Sequence, residues 1–374
     1  MTGLAAGLVT NHTGRTRDGR SAASVLVEAG VDLQVLFGPE HGMSGAAAAG
    51  EAVDSGRDPE TDLPVVSLYG LERTPAQETL ASLDVLLFDI QDIGVRFYTY
   101  ISTLRNALRA ASDAGVAFRV LDRPNPNGGD LVAGPMLDPA FRSFVGTDRL
   151  PLLHGMTVGE LARLFAAREG APPPGVVTVS GLRRSTRWED TGLPWIPPSP
   201  NIPDLPTARL YPGFGLFEGV LLSEGRGTPH PFRWLGAPWL AAPRWLAELG
   251  GPDGIPGVTL EVIRFTPRSV AAAPEPRFRD EEVSGLAVHL TDPEEFQPVL
   301  AGLRAIEAVR ATHPEDFGWR RTDRGFWIDW LLGTDRIRLG IEAGVPLAAL
   351  LEAEGAELED FLTERAAHLI YPDR

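Results

Sequence analysis

The chain has 374 residues, 43% of them hydrophobic and 22% charged, the balance of a folded protein of about two domains rather than a disordered one. It has no cysteine, and all 34 basic residues are arginine, which excludes thiol nucleophiles, Cys-held zinc or iron–sulfur centres, a Schiff-base lysine and a Walker A lysine. A net charge of −16 offers no basic footprint for nucleic acid or for an anionic membrane surface.

Taken in chain order, the first third alternates short apolar runs with amphipathic stretches. Met1 to Gly7 lacks the charged and long apolar regions of a signal peptide, so the expectation is a cytoplasmic protein. Residues 7–11 read as a strand, 21–29 as a helix stopped by Gly30, and 32–37 as a second strand. Residues 63–69 read as a third, weaker strand. The nearly all-apolar 85–90 suits a strand buried on both faces. A helix over 99–114 closes at Gly115, and 116–121 is a fifth strand. This alternation predicts a doubly wound parallel sheet. Residues 46–50 are low in complexity and predict a mobile loop beside the second strand's end.

Unusual residues collect where those strands end: Asn11-His12-Thr13-Gly14, Gly38-Pro39-Glu40-His41-Gly42, Tyr69-Gly70, the segment from Asp89 to Tyr98, and Asp122-Arg123-Pro124-Asn125. In a parallel sheet these ends share one edge, where such folds bind ligands. Further on, 157–168 predicts a helix and 176–179 a strand, followed by a proline-rich loop over 195–203. A second region starts near residue 230, with strands at 258–265 and 285–290 and helices at 292–312, 346–351 and 358–368. The expected organisation is a Rossmann-like α/β domain over residues 1–230 and a smaller α+β domain over 231–374. No stretch approaches the roughly 18 uninterrupted apolar residues of a spanning helix.

Glu40 is the strongest candidate for chemistry. Gly38, Pro39 and Gly42 fix its turn, and a general acid needs a held, partly buried carboxyl. Its neighbour His41 suits a ligand, a hydrogen-bond partner or a structural role. Asp89 and Asp92 could bind a metal, share a proton or orient sugar hydroxyls. Arg96 with Tyr98 and Tyr100 suits an anionic, ring-shaped ligand, or an Arg–Asp pair among core aromatics. Glu224 and Arg226 lie in a Gly-flanked loop that a ligand can approach closely. Asn11, His12, Asp122, Arg123 and Asn201 complete the expected substrate-binding set. Thr157-Val158-Gly159-Glu160 is a capping box, so Glu160 is expected to be structural and worth about 1 kcal/mol or less. Thr291 to Glu294 has the same spacing and predicts another cap. His289, His313 and His368 stand in no cluster. The chain lacks G-x-G-x-x-G, H-E-x-x-H and G-x-S-x-G.

Seven ordered segments carry a resemblance: residues 7–14, 37–42, 89–100, 121–126, 154–157, 198–201 and 223–228. Together they resemble the exo-β-N-acetylmuramidase (NamZ) family along nearly the whole chain. The resemblance implies a glycoside hydrolase that removes N-acetylmuramic acid from the non-reducing end of peptidoglycan fragments, without a metal or cofactor. It also implies a cleft between a Rossmann-like domain and a smaller one, with the catalytic glutamate on Glu40. The chain departs from the family where Val220-Leu221-Leu222 replaces the usual Thr-Asn after Glu218-Gly219, and in a short N-terminus that does not support secretion. The expected partner is a muropeptide or other muramic-acid saccharide. Its lactyl carboxylate calls for a local cation in so acidic a protein, expected to be Arg96 ahead of Arg226. Two other readings are a metal-dependent hydrolase using Asp89, Asp92, Asp122 and His41, and a catalytically silent sugar-binding protein.

Overall fold

The computed structural model describes residues 3–45, 47, 51, 55–70 and 73–373. The expected mobile loop at 46–50 lies outside these residues apart from Ala47. The first half consists of β1 (Ala5–Thr10), α1 (Ala22–Glu28), β2 (Asp32–Gly38), β3 (Gly56–Arg57), β4 (Pro64–Ser67), α2 (Gln77–Leu80), β5 (Val85–Asp89), α3 (Tyr100–Asp113) and β6 (Ala117–Leu121). The antiparallel pair β7 (Ala133–Met136) and β8 (Pro151–Leu153), then α4 (Val158–Glu169) and β9 (Gly175–Val177), complete it.

These strands form a seven-stranded sheet in the order β3-β4-β2-β1-β5-β6-β9. Every pairing is parallel except β3 on β4. Period-two alternation sorts the core. Leu8, Leu36 and Leu87 stand side by side and pack on Ala23 of α1. Their neighbours Val9, Phe37 and Phe88 face the other way, into the larger cluster with Leu104 of α3 and Leu161 of α4. The sheet is therefore covered on both faces, which explains why β5 is apolar throughout.

The second half contains α5 (Leu205–Phe214), β10 (Trp234–Ala237), α6 (Ala242–Glu248), β11 (Val258–Phe265), β12 (Val283–Leu290), α7 (Pro298–Thr312), β13 (Arg321–Thr322), β14 (Gly325–Phe326) and α8 (Trp327–Leu332). Three more helices follow: α9 (Arg336–Glu342), α10 (Leu347–Ala353) and α11 (Gly355–Ala366). A three-stranded antiparallel sheet, β10-β12-β11, gives this half the expected mixed α+β character. The helix expected over 292–312 begins only at Pro298. Asp292, not Thr291, accepts the backbone N–H groups of Glu294 and Glu295, at 2.9 and 3.3 Å. Pro293 and Pro298 bias the residues before them away from helical backbone, so this segment is a turn and not a capped helix.

One apolar cluster runs from Phe88 through Phe214 to Leu303 and Phe361, so the two halves share a core. At their joint α5 and α7 meet backbone to backbone. A Cβ on Gly213 would stand 1.9 Å from the Pro298 carbonyl oxygen, and one on Gly302 would stand 2.2 Å from that of Gly213. Only glycine permits that approach.

Candidate active site

The parallel order reverses between β1 and β5, the switch point where open α/β sheets place ligands. Pro39-Glu40-His41-Gly42 leaves β2 on one side of this point, and residues 97–99 follow β5 on the other. The turn is closed by a Gly42 N–H bond to the Pro39 carbonyl at 3.0 Å, with His41 and Gly42 both in left-handed backbone. Glu40 is held buried at its apex. Its Oε2 accepts the hydroxyl of Thr99, and the Tyr69 phenol, from just beyond the end of β4, lines the same cavity close enough to feel its charge. Thr99 stands at the N-cap of α3 yet makes no side-chain cap there, because its hydroxyl is given to Glu40. Burial and the Glu40 charge push the Tyr69 phenol above its ordinary value. His41 bonds through Nδ1 to the Ala47 carbonyl at 2.8 Å. Burial lowers its pKa against the pull of Glu40, which favours neutral imidazole.

Glu40 and His41 line a cavity of about 960 Å³ between the two halves. Its floor is aromatic: Tyr98 and Phe232 flank Tyr211 with ring centroids 6.0 and 4.7 Å away, edge to face. Beside that floor Arg226 is held by Glu218 at 2.7 Å and Glu224 at 3.3 Å, with its guanidinium over the Phe232 ring. Burial raises the Glu224 pKa, an effect Arg226 opposes. Burial alone would lower the Arg226 pKa, and the two glutamates more than offset it. Asn201 reaches the cavity from the proline-rich loop and donates to the Ala272 carbonyl at 3.0 Å. A further part of the lining comes from Arg320, the β13–β14 hairpin that follows it and α8, with Asp323, Arg324, Trp327 and Trp330.

Of the expected site residues, Glu40, His41, Tyr98, Asn201, Glu224 and Arg226 therefore share one cavity. The others serve the framework behind it. Arg96 is fully buried and donates to the carbonyls of Pro135, Leu150 and Leu331 at 2.8, 2.8 and 2.9 Å. It ties β7 and α8 to the strand end and does not reach the cavity, which corrects its expected role as reader of a ligand carboxylate. Asp89 and Arg123 pair with each other through both carboxylate oxygens, at 2.6 and 3.0 Å. Asp122 accepts from Thr157, the Gly159 N–H and Tyr371 at 2.7–2.8 Å, anchoring the N-terminus of α4. Asn11 bonds Tyr100 and Thr13, and His12 bonds the Pro197 carbonyl at 2.7 Å. Asp92 is buried against the Gly94 N–H at 2.7 Å, and among the described residues its other oxygen has no hydrogen-bond partner.

Five strand ends were expected at one edge; those of β2, β4 and β5 reach the cavity wall, while those of β1 and β6 brace it. Sequence reasoning put Tyr69 at this edge without giving it a role, and it missed Arg73, Thr99, Glu218, Tyr211 and the hairpin wall as site residues. Tyr69 carried a signal, since it ends a strand at the same edge as Glu40. The hairpin carried none, because its closeness to Glu40 depends on how the second half packs.

Comparison with known proteins agrees with this architecture. A family model described as exo-beta-N-acetylmuramidase NamZ, N-terminal, matches residues 6–206, and its C-terminal counterpart matches residues 209–371. The peptidoglycan beta-N-acetylmuramidase NamZ of Bacillus subtilis (strain 168) is 40% identical over 373 residues, covering 99% of this chain and 88% of that protein. Two crystal structures of DUF1343 family proteins from Bacteroides fragilis superpose on this chain. One has a TM-score of 0.88 at 32% identity, covering 99% of this chain and 94% of the other. The second has a TM-score of 0.78 at 30% identity, covering 100% and 95%. Among the described residues no helix is long and apolar enough to cross a membrane.

Proposed function

The chain belongs to the exo-β-N-acetylmuramidase NamZ family, and from that premise we propose that Glu40 is its general acid. It is a glycosidase of peptidoglycan fragments, releasing N-acetylmuramic acid from the non-reducing end. Such an activity serves cell-wall turnover or recycling. The observation that carries the catalytic assignment is the buried Glu40 carboxyl, fixed in its turn and held by Thr99 on the wall of the cavity. A proton delivered from there to the glycosidic oxygen lets the aglycone leave as an alcohol.

The remaining groups bind and orient. Tyr98, Tyr211 and Phe232 offer apolar surface for the C–H faces of the sugar, and Asn201 and Glu224 supply polar contacts at its edge. In this reading residues 1–230 carry the acid and most of the sugar-binding floor, and 231–374 add Phe232 to that floor and close the cleft through the β13–β14 hairpin and α8. The metal-dependent alternative loses support because Asp89 and Asp122 spend their oxygens on Arg123, Thr157, Gly159 and Tyr371.

Turnover of a muramyl disaccharide by wild type and by Glu40→Gln tests the assignment. The amide keeps the shape and loses the proton, so kcat is expected to fall by about 10²–10⁴-fold. A Glu40→Gln protein that cleaves the disaccharide at the wild-type rate would end it. A wild-type protein that binds the disaccharide but never cleaves it would instead favour the silent sugar-binding reading.

A further inference from the structure

A muraminide brings an anion into a cavity that already holds more acids than arginines. Glu40, Glu51, Glu218, Glu224, Glu275 and Asp323 line it, against Arg73, Arg226, Arg320 and Arg324. Arg226 is neutralised by Glu218 and Glu224. Among the described residues Arg73, Arg320 and Arg324 have no carboxylate within ion-pair distance. These three are the cations with charge to spare, and they stand on two different walls.

The geometry points to Arg73 as the residue that reads the lactyl carboxylate, an inference that rests on the glycosidase reading above. Arg73 follows Tyr69 in the segment leaving β4, and its own carbonyl is anchored by the Asn106 amide of α3 at 3.0 Å. Its guanidinium lies 4.4 Å from the centre of the Phe144 ring and 5.7 Å from that of Tyr69. The two rings are themselves 5.9 Å apart. A stacked guanidinium is pre-oriented, with its N–H fork left over for an anion. The same Tyr69 side chain lines the cavity with Glu40 and feels its charge. Acid and cation thus line one cavity and both act on the same Tyr69 side chain.

A muraminide also carries its scissile bond and its carboxylate on neighbouring parts of one ring. C1 and C3 flank C2, so the glycosidic bond and the lactyl ether leave the pyranose on either side of the N-acetyl group. With the glycosidic oxygen at Glu40, the lactyl arm lies along the wall that carries Tyr69 and Arg73. Arg320 and Arg324 belong to another element, the first just before β13 and the second in the β13–β14 turn. Nothing in the reaction changes in this arrangement. Arg73 binds and selects, and Glu40 transfers the proton.

The experiment compares kcat/KM for a chromogenic N-acetylmuraminide and for its lactyl methyl ester, which has nearly the same shape and no charge. Wild type is expected to favour the acid. In Arg73→Ala the acid-to-ester ratio is expected to drop by about tenfold or more, the worth of one charge-assisted hydrogen bond. Arg73→Lys, which keeps the charge and loses the fork, is expected to give an intermediate ratio. Arg226→Ala and Arg320→Ala are expected to alter kcat/KM for both substrates with a smaller effect on their ratio. An Arg73→Ala ratio equal to that of wild type overturns the inference, as does a collapse of the ratio in Arg320→Ala instead. A wild-type enzyme that cleaves neither substrate refutes the underlying glycosidase reading, and this inference with it.

Discussion

Asp92 is the residue whose chemistry the site least requires and the structure most constrains. Burial lifts its pKa to about 7, and the N–H groups of Gly94 and Ile93 only partly offset that. Its folded value lies above its unfolded one, so the native state holds the proton through the interval between them. Stability contributed by this group is full below about pH 4 and is lost as pH rises through about 7. Asp92→Asn keeps an acceptor for Gly94 and removes the charge. It is expected to raise the unfolding temperature at pH 8 and leave it nearly unchanged at pH 4.5. An equal shift at both pH values would mean that Asp92 is ionised throughout. The contrast with Glu40 shows what is legible at this scale. A carboxylate fenced by Gly and Pro after a buried strand declares its turn in the sequence. Arg96 declares nothing, because an arginine that caps three backbone carbonyls and an arginine that grips a ligand look alike until the distant chain segments are folded around it.

Helix α4 gives the same lesson one level up. Its capping box was readable from Thr157 and Glu160, and both bonds are present: Glu160 N–H to the Thr157 hydroxyl at 3.3 Å, and Thr157 N–H to Glu160 Oε2 at 3.0 Å. The expected cost of about 1 kcal/mol for losing the cap is nonetheless too small. Glu160 is fully buried, pairs with buried Arg184 at 3.0 Å and accepts the Ile370 N–H at 2.9 Å. Removing one partner of such a pair strands the other charge, which costs roughly 3–5 kcal/mol. Glu160→Ala is therefore expected to lower the denaturant midpoint by that equivalent, and Glu160→Gln, which can still cap, by less. Both should keep wild-type kcat at a temperature where they remain folded. A loss in Glu160→Ala of only about 1 kcal/mol would mean that the Arg184 pair contributes nothing beyond the cap. Caps are legible because they are local in sequence; Arg184 and Ile370 are not, and they decide the magnitude. The turn at Asp292 is the converse, a motif of the right spacing overruled by two prolines.

At the scale of the molecule, the two halves are joined through shared apolar packing, the backbone approach of Gly213 to Gly302, and the tail that follows α11. The tail returns to the first half. Tyr371 is buried and gives its hydroxyl to Asp122 at 2.7 Å while accepting the Val179 N–H at 3.0 Å. The Pro372 carbonyl accepts the Arg184 N–H at 2.9 Å, and Arg365 of α11 donates to the Gly155 carbonyl at 3.1 Å. The elements at both ends of these contacts could be read from the sequence, but the contacts span about half the chain, and no local pattern announces them. They bear on the cleft, because Trp327 and Trp330 share a cavity with Glu40 only while the second half stays seated on the first. Heating is accordingly expected to give one transition, with calorimetric and van't Hoff enthalpies in agreement, since neither half can keep its core without the other. Tyr371→Phe retains the ring and removes the hydroxyl, leaving Asp122 one donor short inside the protein at a cost of roughly 1–3 kcal/mol. Truncation before Ala367 also removes the buried ring, which by analogy with aromatic-to-alanine changes adds about 3–5 kcal/mol. Both variants are expected to lower the single transition, the truncation by more. Two separable transitions in wild type, or a truncated protein that melts where the full chain does, would show instead that the halves fold as independent units and that the tail only lies against them.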